Sequence, residues 1–308
     1  MTKGPARVTV VIAAYNAAEF LGRCLDSLKN QTFRDFDVVV VDDGSTDTTA
    51  SIAEQSAGVQ VIRQSNSGPG AARAEGCRNR DSEYLAFIDA DDPWMPDRLS
   101  RLVDAADSDR ETAFFTSNAV VVDHFGNDVG YFYSAELQFP PREQQREEIA
   151  RHNFVFTSCL VRRTAYEAAG GFSHDRKILG AEDYDLWLRL IVRGEFGGCI
   201  DEPLCSYYLR LDSLSRQDPF VSTRARLVVL SRRLPEFWAI GVYGTLKDNV
   251  ALALCFYGLR HPVRASRHLL AARRSGGSFV SVLACVLRTL SGSLKEWTKP
   301  FRKMRLSQ

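Results

Sequence analysis

Apolar positions follow two alternating rhythms along the first ninety residues. Residues 8–14 form an unbroken apolar run of the kind a strand buried on both faces requires, and residues 17–30 then place Phe20, Leu21, Cys24, Leu25 and Leu28 on one helical face. The alternation continues with a strand over 36–41, a helix near 48–55 that Ser45, Thr46 and Asp47 can cap, and a strand over 59–63. A helix over 69–80 and a strand over 84–88 complete a βαβαβαβ order, which predicts an α/β fold with a parallel sheet. From 113 to 132 the pattern turns to short strands around a Gly126-Asn127 hairpin, so antiparallel pairing is expected there. Residues 136–151 are polar and broken by proline, which predicts a mobile loop or lid. A strand over 157–162, a short helix stopped by Gly170-Gly171 and an amphipathic helix over 183–192 follow, and after Tyr207 the chain becomes a series of Arg-rich helices.

Three of the predicted strands end in polar residues: Tyr15-Asn16, Asp42-Asp43-Gly44-Ser45, and Asp89-Ala90-Asp91-Asp92. Ligands of open α/β sheets bind at the carboxyl ends of strands, so these tips should border one crevice. Three carboxylates within four residues repel one another unless a cation lies among them, and hard oxygen donors suit magnesium or manganese. An aromatic face at Tyr15 and an acceptor at Asp43 on neighbouring strand tips would suit a nucleobase, although strand-end turn chemistry accounts for both equally well. Glu182 and Asp183 open a helix, where acids commonly serve only the helix dipole.

Composition adds little until charge is resolved along the chain. At 308 residues and 45% hydrophobic content there is ample material for a core. The net charge of +1 conceals 16 Lys or Arg against 3 Asp or Glu over residues 224–308, which leaves 23 basic and 35 acidic residues before them. A basic tail of this kind can lie on an anionic membrane surface or pack on the acidic body; its apolar content favours these over nucleic acid, and no nucleic-acid partner is expected. The seven cysteines lack metal-site spacing and suit buried thiols in a reducing compartment. The start of the chain lacks the basic, apolar and small-residue order of a secretion signal, so a cytoplasmic location, peripheral to the membrane at most, is expected.

Four segments in order carry a resemblance: VVIAAYNAAEFLGRCLDSLKNQTFRDFDVVVVDDGSTD, SNSGPGAARAEG, YLAFIDADDPWMPDRL and GGFSHDRKILGAEDYDLWLRL. Together they resemble the inverting family 2 glycosyltransferases, nucleotide-sugar enzymes of the GT-A fold, over about residues 8–216. The resemblance implies a GT-A domain over 1–220, with 1–112 the nucleotide half and 113–220 the acceptor half, followed by a basic helical extension over 221–308. It implies that Tyr15 stacks on the nucleobase, Asp43 accepts its N–H, and the backbone near Ala13 helps to hold the ring, with Asp42 supporting the turn. Gly68, Gly70 and Arg73 fall in the family's glycine-containing segment, where Arg73 is expected to neutralise a phosphate or touch the base. Asp89 and Asp91 match the paired positions of the DxD motif, Asp89 toward the ribose and Asp91 toward the Mn2+ or Mg2+ that bridges the diphosphate, with Asp92 sharing the metal role. Trp94 is either a pocket wall or a core aromatic. Asp183 takes the part of the general base, with Glu182 positioning or exchanging for it. The chain departs from the family at Arg210, where a His often stands; arginine cannot ligate a metal, and it is expected to add positive charge at the diphosphate. The expected reaction moves a hexose, from UDP in preference to GDP or dTDP, to a hydroxyl of a glycan or lipid-linked glycan in cell-surface polysaccharide synthesis. A nucleotidyltransferase and a non-catalytic nucleotide or glycan binder are the alternatives.

Overall fold

The computed structural model describes residues 4–78, 80–210, 219–245, 248, 249, 252 and 262–275. Strands β1 (Val8–Ala14), β2 (Phe36–Asp42), β3 (Val59–Arg63) and β4 (Tyr84–Asp89) alternate with helices α1 (Ala18–Lys29), α2 (Thr49–Gln55) and α3 (Pro69–Cys77). Next come α4 (Arg98–Ser108), β5 (Phe114–Val122), β6 (Asp128–Tyr131), α5 (Gln145–Arg151), β7 (Cys159–Arg162), α6 (Arg163–Ala168), α7 (Glu182–Val192) and β8 (Gly197–Tyr208). Helices α8 (Pro219–Trp238) and α9 (Pro262–Arg274) follow. One mixed sheet joins the strands in the order β3-β2-β1-β4-β7-β5-β6, and β8 pairs with β5.

The first four strands are parallel, and the register sets Ala14 beside Asp42 and Ala13 beside Asp89. Parallel strands flanked by crossover helices are covered on both sides, which is why the run over β1 contains no polar alternation. Successive side chains point to opposite faces. Val10, Ile12, Ala86 and Ile88 pack with Leu21, Cys24 and Leu25 of α1 and with Leu99 and Leu102 of α4. On the other face Val11, Leu85, Phe87, Phe114 and Val161 pack with Leu186, Trp187 and Leu190 of α7. Trp187 is fully buried with its ring 5.1 Å from that of Phe114, and truncating it to alanine should cost about 3–5 kcal/mol.

Three local differences from the sequence pattern have physical causes. Residues 136–151 are not wholly a loop: α5 forms there, and Gln145, Ile149 and Ala150 are buried. Gln145 ties this segment down, donating to the carbonyls of Pro140 and Gly197 and accepting from the Gly197 N–H. Strand β8, which the pattern does not predict, is split by Asp201-Glu202-Pro203, and its ladder with β5 shifts register there. Helix α3 stops at Cys77 rather than Arg80.

Helix α8 lies beyond the expected boundary at 220, yet its Ala225, Val229, Leu230, Leu234 and Phe237 join the core around α7. Its arginines reach acidic residues of the body: Arg232 pairs with Asp175 at 2.6 Å and Arg233 with the buried Asp185 at 2.7 Å. Cys24, Cys77, Cys159 and Cys205 are buried free thiols and Cys199 is half-buried; Cys255 and Cys285 lie outside the described residues. Among the described residues no helix is long and apolar enough to cross a membrane.

Candidate active site

The sheet register puts the tips of β2 and β4 on either side of β1. At the end of β1, Asn16 takes a left-handed conformation with φ +47, fixed because its N–H donates to Ser45 Oγ and its Oδ1 accepts from Thr46 N at 2.9 Å. The sharp exit leaves Tyr15 outside the core, 52% exposed. Ala13, two residues earlier on the same side of the strand, sits in the ladder between Val41 and Asp89. Asp42 Oδ1 accepts from Ser45 N and holds the turn after β2.

Asp43 is 3% exposed and organises the start of α3. Its Oδ1 accepts from Gln64 Nε2 at 2.7 Å and Ser67 N at 2.8 Å, and its Oδ2 accepts from Gly68 N at 2.8 Å. One lone pair on Oδ2 is left for another donor. Gly68 has φ +93, a conformation that L side chains rarely adopt. Gly70 is needed for space: a Cβ there would lie 2.7 Å from Ser173 O and 3.0 Å from the Glu182 side chain. The close approach packs the first turn of α3 against the first residue of α7.

Arg73, expected to neutralise a phosphate or touch the base, is buried within the wall: Nη2 meets Asp89 Oδ1 at 2.6 Å and Nη1 meets Glu182 Oε1 at 3.3 Å. Burial opposes its charge, but the two carboxylates outweigh burial and raise its pKa. One cation therefore joins the strand tip of β4 to the start of α7.

The remaining acids of the cluster stand apart from that pair. Asp92 is 2% exposed, and its Oδ1 accepts from Tyr208 N at 3.1 Å. Burial, then the repulsion of Asp91 and Asp89, holds its pKa well above the ordinary carboxylate value; Asp91 is raised for the same reasons, burial first and Asp89 second. Arg210 counters the charge, its Nη1 lying 3.2 Å from Asp91 Oδ2. No group of three Asp, Glu, His or Cys side chains among the described residues could enclose an ion unaided. Two mutually repelling hard-oxygen donors nevertheless fit a magnesium or manganese ion whose other ligands come from a diphosphate. Arg210 thus meets Asp91 here, and residues 211–218 that follow it lie outside the described residues.

Glu182 and Asp183, adjacent in sequence, differ sharply. Glu182 is buried, with Oε1 on Arg73 and Oε2 accepting from Gly180 N at 2.7 Å, so both of its oxygens are engaged. Asp183 is half-buried; its Oδ2 accepts from Thr157 Oγ1 at 2.9 Å and Asn153 Nδ2 at 3.2 Å. Burial raises its pKa, and Arg73 moderates the rise. Contacts therefore run without a break from Asp43 through Gly68 and α3 to Arg73, and from there to Asp89 and Glu182 beside Asp183.

Trp94 is a core aromatic, buried, with Nε1 donating to Ser158 Oγ at 2.8 Å. Beside it lies a residue that the linear pattern does not single out. Arg98, in the first turn of an amphipathic helix, is fully buried with its guanidinium 5.1 Å from the Trp94 ring and bonded to Ser117 Oγ and Ser158 O. Its charge opposes the rise at Asp92. Asn153 and Thr157 were likewise unmarked, because only the fold brings them to Asp183.

A sequence profile described as glycosyl transferase family 2 matches residues 9–170, just over half of the chain. The chain belongs to glycosyl transferase family 2. It is 32% identical over 221 residues to the succinoglycan biosynthesis protein ExoO of Rhizobium meliloti, covering 68% of this chain and 62% of that protein. It is 31% identical over 194 residues to an Escherichia coli chondroitin synthase, covering 61% of this chain and 27% of the relative. The chain thus spans less than two thirds of the length of either relative. Among solved structures, S. aureus TarS 1-349 in complex with UDP-GlcNAc is similar with a TM-score of 0.64 at 16% identity, covering 98% of this chain and 92% of that one. The mannosyltransferase PcManGT from Pyrobaculum calidifontis, in complex with GDP-Man and Mn2+, gives 0.54 at 20% identity, covering 96% and 84%. These likenesses establish the GT-A fold.

Proposed function

We propose that this family 2 glycosyltransferase binds a UDP-sugar with Mn2+ or Mg2+ and transfers the hexose, with inversion, to a hydroxyl of a glycan or lipid-linked glycan in cell-surface polysaccharide synthesis. The observation that carries the reading is the unbroken line of contacts from Asp43 through Gly68 and Arg73 to Asp89, Glu182 and Asp183, beside the exposed ring of Tyr15. A nucleotidyltransferase would leave Asp183, with its Thr157 and Asn153 supports, without a task. The polysaccharide context draws support from the names of the succinoglycan and chondroitin relatives, and the donor class from the UDP-GlcNAc bound by TarS.

On this reading Tyr15 stacks on the uracil, and the remaining Oδ2 lone pair of Asp43 accepts the imide N–H. Asp89, fixed by Arg73, faces the ribose. Asp91, backed by Asp92, would hold the metal, which when bound neutralises the departing diphosphate. Asp183 removes the acceptor hydroxyl's proton as that oxygen attacks the anomeric carbon opposite the leaving diphosphate, so the sugar inverts in one displacement. Thr157 and Asn153 aim the carboxylate, and its raised pKa brings it closer to neutral pH, where a general base contributes about 10² to 10⁴ in rate. Glu182 holds Arg73 and is a positioning residue. Residues 1–220 carry the catalytic groups with α8 packed on them, and the basic stretch beyond α8 meets an anionic membrane surface, supported by exposed Leu269 and Leu270 beside exposed Arg267, Arg273 and Arg274 on α9.

A thermal-shift panel of UDP, GDP and dTDP, with and without Mn2+, tests the donor site. A ligand at 100 times its dissociation constant adds about 2.7 kcal/mol of stability, and UDP with Mn2+ should give the largest shift. A flat response to every nucleotide overturns the reading. Asp183→Asn should keep the shift and lose transfer.

A further inference from the structure

Two cation–aromatic contacts join the end of β8 to α1, and they run in opposite senses. The Arg210 guanidinium of the β8 side lies 3.9 Å from the ring centre of Phe20 on α1. The Arg23 guanidinium of α1 lies 4.1 Å from the ring centre of Tyr208 on β8. Phe20 and Arg23 are three residues apart and so share a helix face. Phe20 is only half-buried and forms one wall of this clasp instead of joining the inner apolar face with Leu21 and Leu25. The backbone up to Arg210 is fixed independently: Tyr208 N donates to Asp92 and Leu209 N to Val122 O at 2.8 Å. Arg210 is the first residue past that ladder, and its guanidinium pairs with Asp91, the carboxylate to which the proposed function gives the metal.

We propose that Arg210 is the resident cation of the acidic cluster: in the donor-free protein it neutralises Asp91 from a perch on Phe20, and it yields Asp91 to the divalent ion only when a diphosphate arrives to take the guanidinium. The inference rests on the proposed donor site and adds a coupling to it. A guanidinium and a divalent ion cannot occupy the same carboxylate oxygen, so the two compete for Asp91. A diphosphate offers the guanidinium a bidentate partner that water does not. Metal binding alone is therefore weakened by Arg210, whereas metal binding in the presence of the nucleotide is not, and the two ligands favour each other through this side chain. By reciprocity, Mn2+ strengthens UDP binding by the same factor as UDP strengthens Mn2+ binding. A histidine at this position would itself offer the metal a ligand; an arginine can only stand in for it or stand aside.

The test is a Mn2+ titration of the full chain followed by electron paramagnetic resonance of the free ion, with and without UDP. It is run on wild type, Arg210→Ala, Phe20→Ala and Asp91→Asn, with UDP binding measured separately by calorimetry. Without nucleotide, Arg210→Ala should bind Mn2+ about tenfold more tightly than wild type, ~1.4 kcal/mol, with Phe20→Ala changed in the same direction by less. The factor by which UDP tightens Mn2+ should fall by about as much in Arg210→Ala. Asp91→Asn should lose Mn2+ binding in every condition. Equal or weaker Mn2+ binding by Arg210→Ala without nucleotide, or an unchanged coupling factor, overturns the proposal while leaving the donor site intact if UDP still binds. Failure of wild type to bind UDP at all overturns the donor site and this inference together.

Discussion

Replacing Arg73 with methionine removes the cation that joins α3 to β4 and α7, and the structure sets the size of the effect. The side chains of Arg73 and Glu182 are 7% and 8% exposed, and that of Asp89 is 32% exposed. Asp89 can regain water when its partner is lost, whereas Glu182 cannot. Breaking a buried pair by removing one partner costs about 3–5 kcal/mol, and the partial rehydration of Asp89 places this case near 3 kcal/mol. The loss also has a predictable pH dependence. Burial already raises the Glu182 pKa against the moderating effect of Arg73, and without Arg73 it rises further. A carboxyl whose folded pKa exceeds its unfolded value binds more protons when folded, so the variant loses stability as pH rises through the folded value and regains it on acidification. Urea denaturation at pH 7.5 and pH 5 should show a deficit of about 3 kcal/mol at the higher pH and a clearly smaller one at the lower. Adding Glu182→Gln to Arg73→Met should recover part of the loss at pH 7.5. A deficit below 1 kcal/mol, or one equal at both pH values with no rescue, refutes the picture of Arg73 as the buried tie.

Tyr15→Ala removes the exposed ring at the β1 tip; base stacking is worth about 1–3 kcal/mol, so UDP affinity by calorimetry should fall roughly 5- to 150-fold with little change in folding stability. The acid limb of the pH–rate profile should lie above the ordinary aspartate value because Asp183 must be deprotonated and burial raises its pKa. Thr157→Val removes a hydrogen bond that favours the charged form, so that limb should move to higher pH; an unmoved limb argues against Asp183 as the base. Gly70→Val would drive a side chain into Ser173 O and Glu182, and should cost several-fold in UDP affinity together with at least about 1–3 kcal/mol of stability.

The parallel β1–β4 half was legible because its strands are continuous apolar runs that end at once in polar residues, a pattern that fixes both the element and the tip. The acidic cluster could be named for the same reason, whereas the acids that open α7 read as helix-dipole partners and took a role only from the family resemblance. What the linear pattern hid were partners supplied by distant segments. Nothing in the linear pattern shows that Gly70 lets α3 close on α7, which buries Arg73 between Asp89 and Glu182. Asn153 precedes the strand expected over 157–162 and Thr157 opens it, and neither shows a role in the linear pattern until the fold sets both beside Asp183. Strand β8 was obscured by the Asp201-Glu202-Pro203 interruption, and α5 by the prolines at 140 and 141. Arg98 lies one turn before Leu102 on the inner face of α4, and the linear pattern does not show that Trp94, Ser117 and Ser158 enclose its charge there.

The most direct test of the donor-site account is a crystal structure of the protein grown with UDP and Mn2+. The account predicts the uracil against Tyr15 with its imide N–H on Asp43, the diphosphate and ion at Asp91, and Asp183 facing the open side of the ion. Nucleotide bound elsewhere, or bound with its diphosphate remote from Asp91, would contradict it.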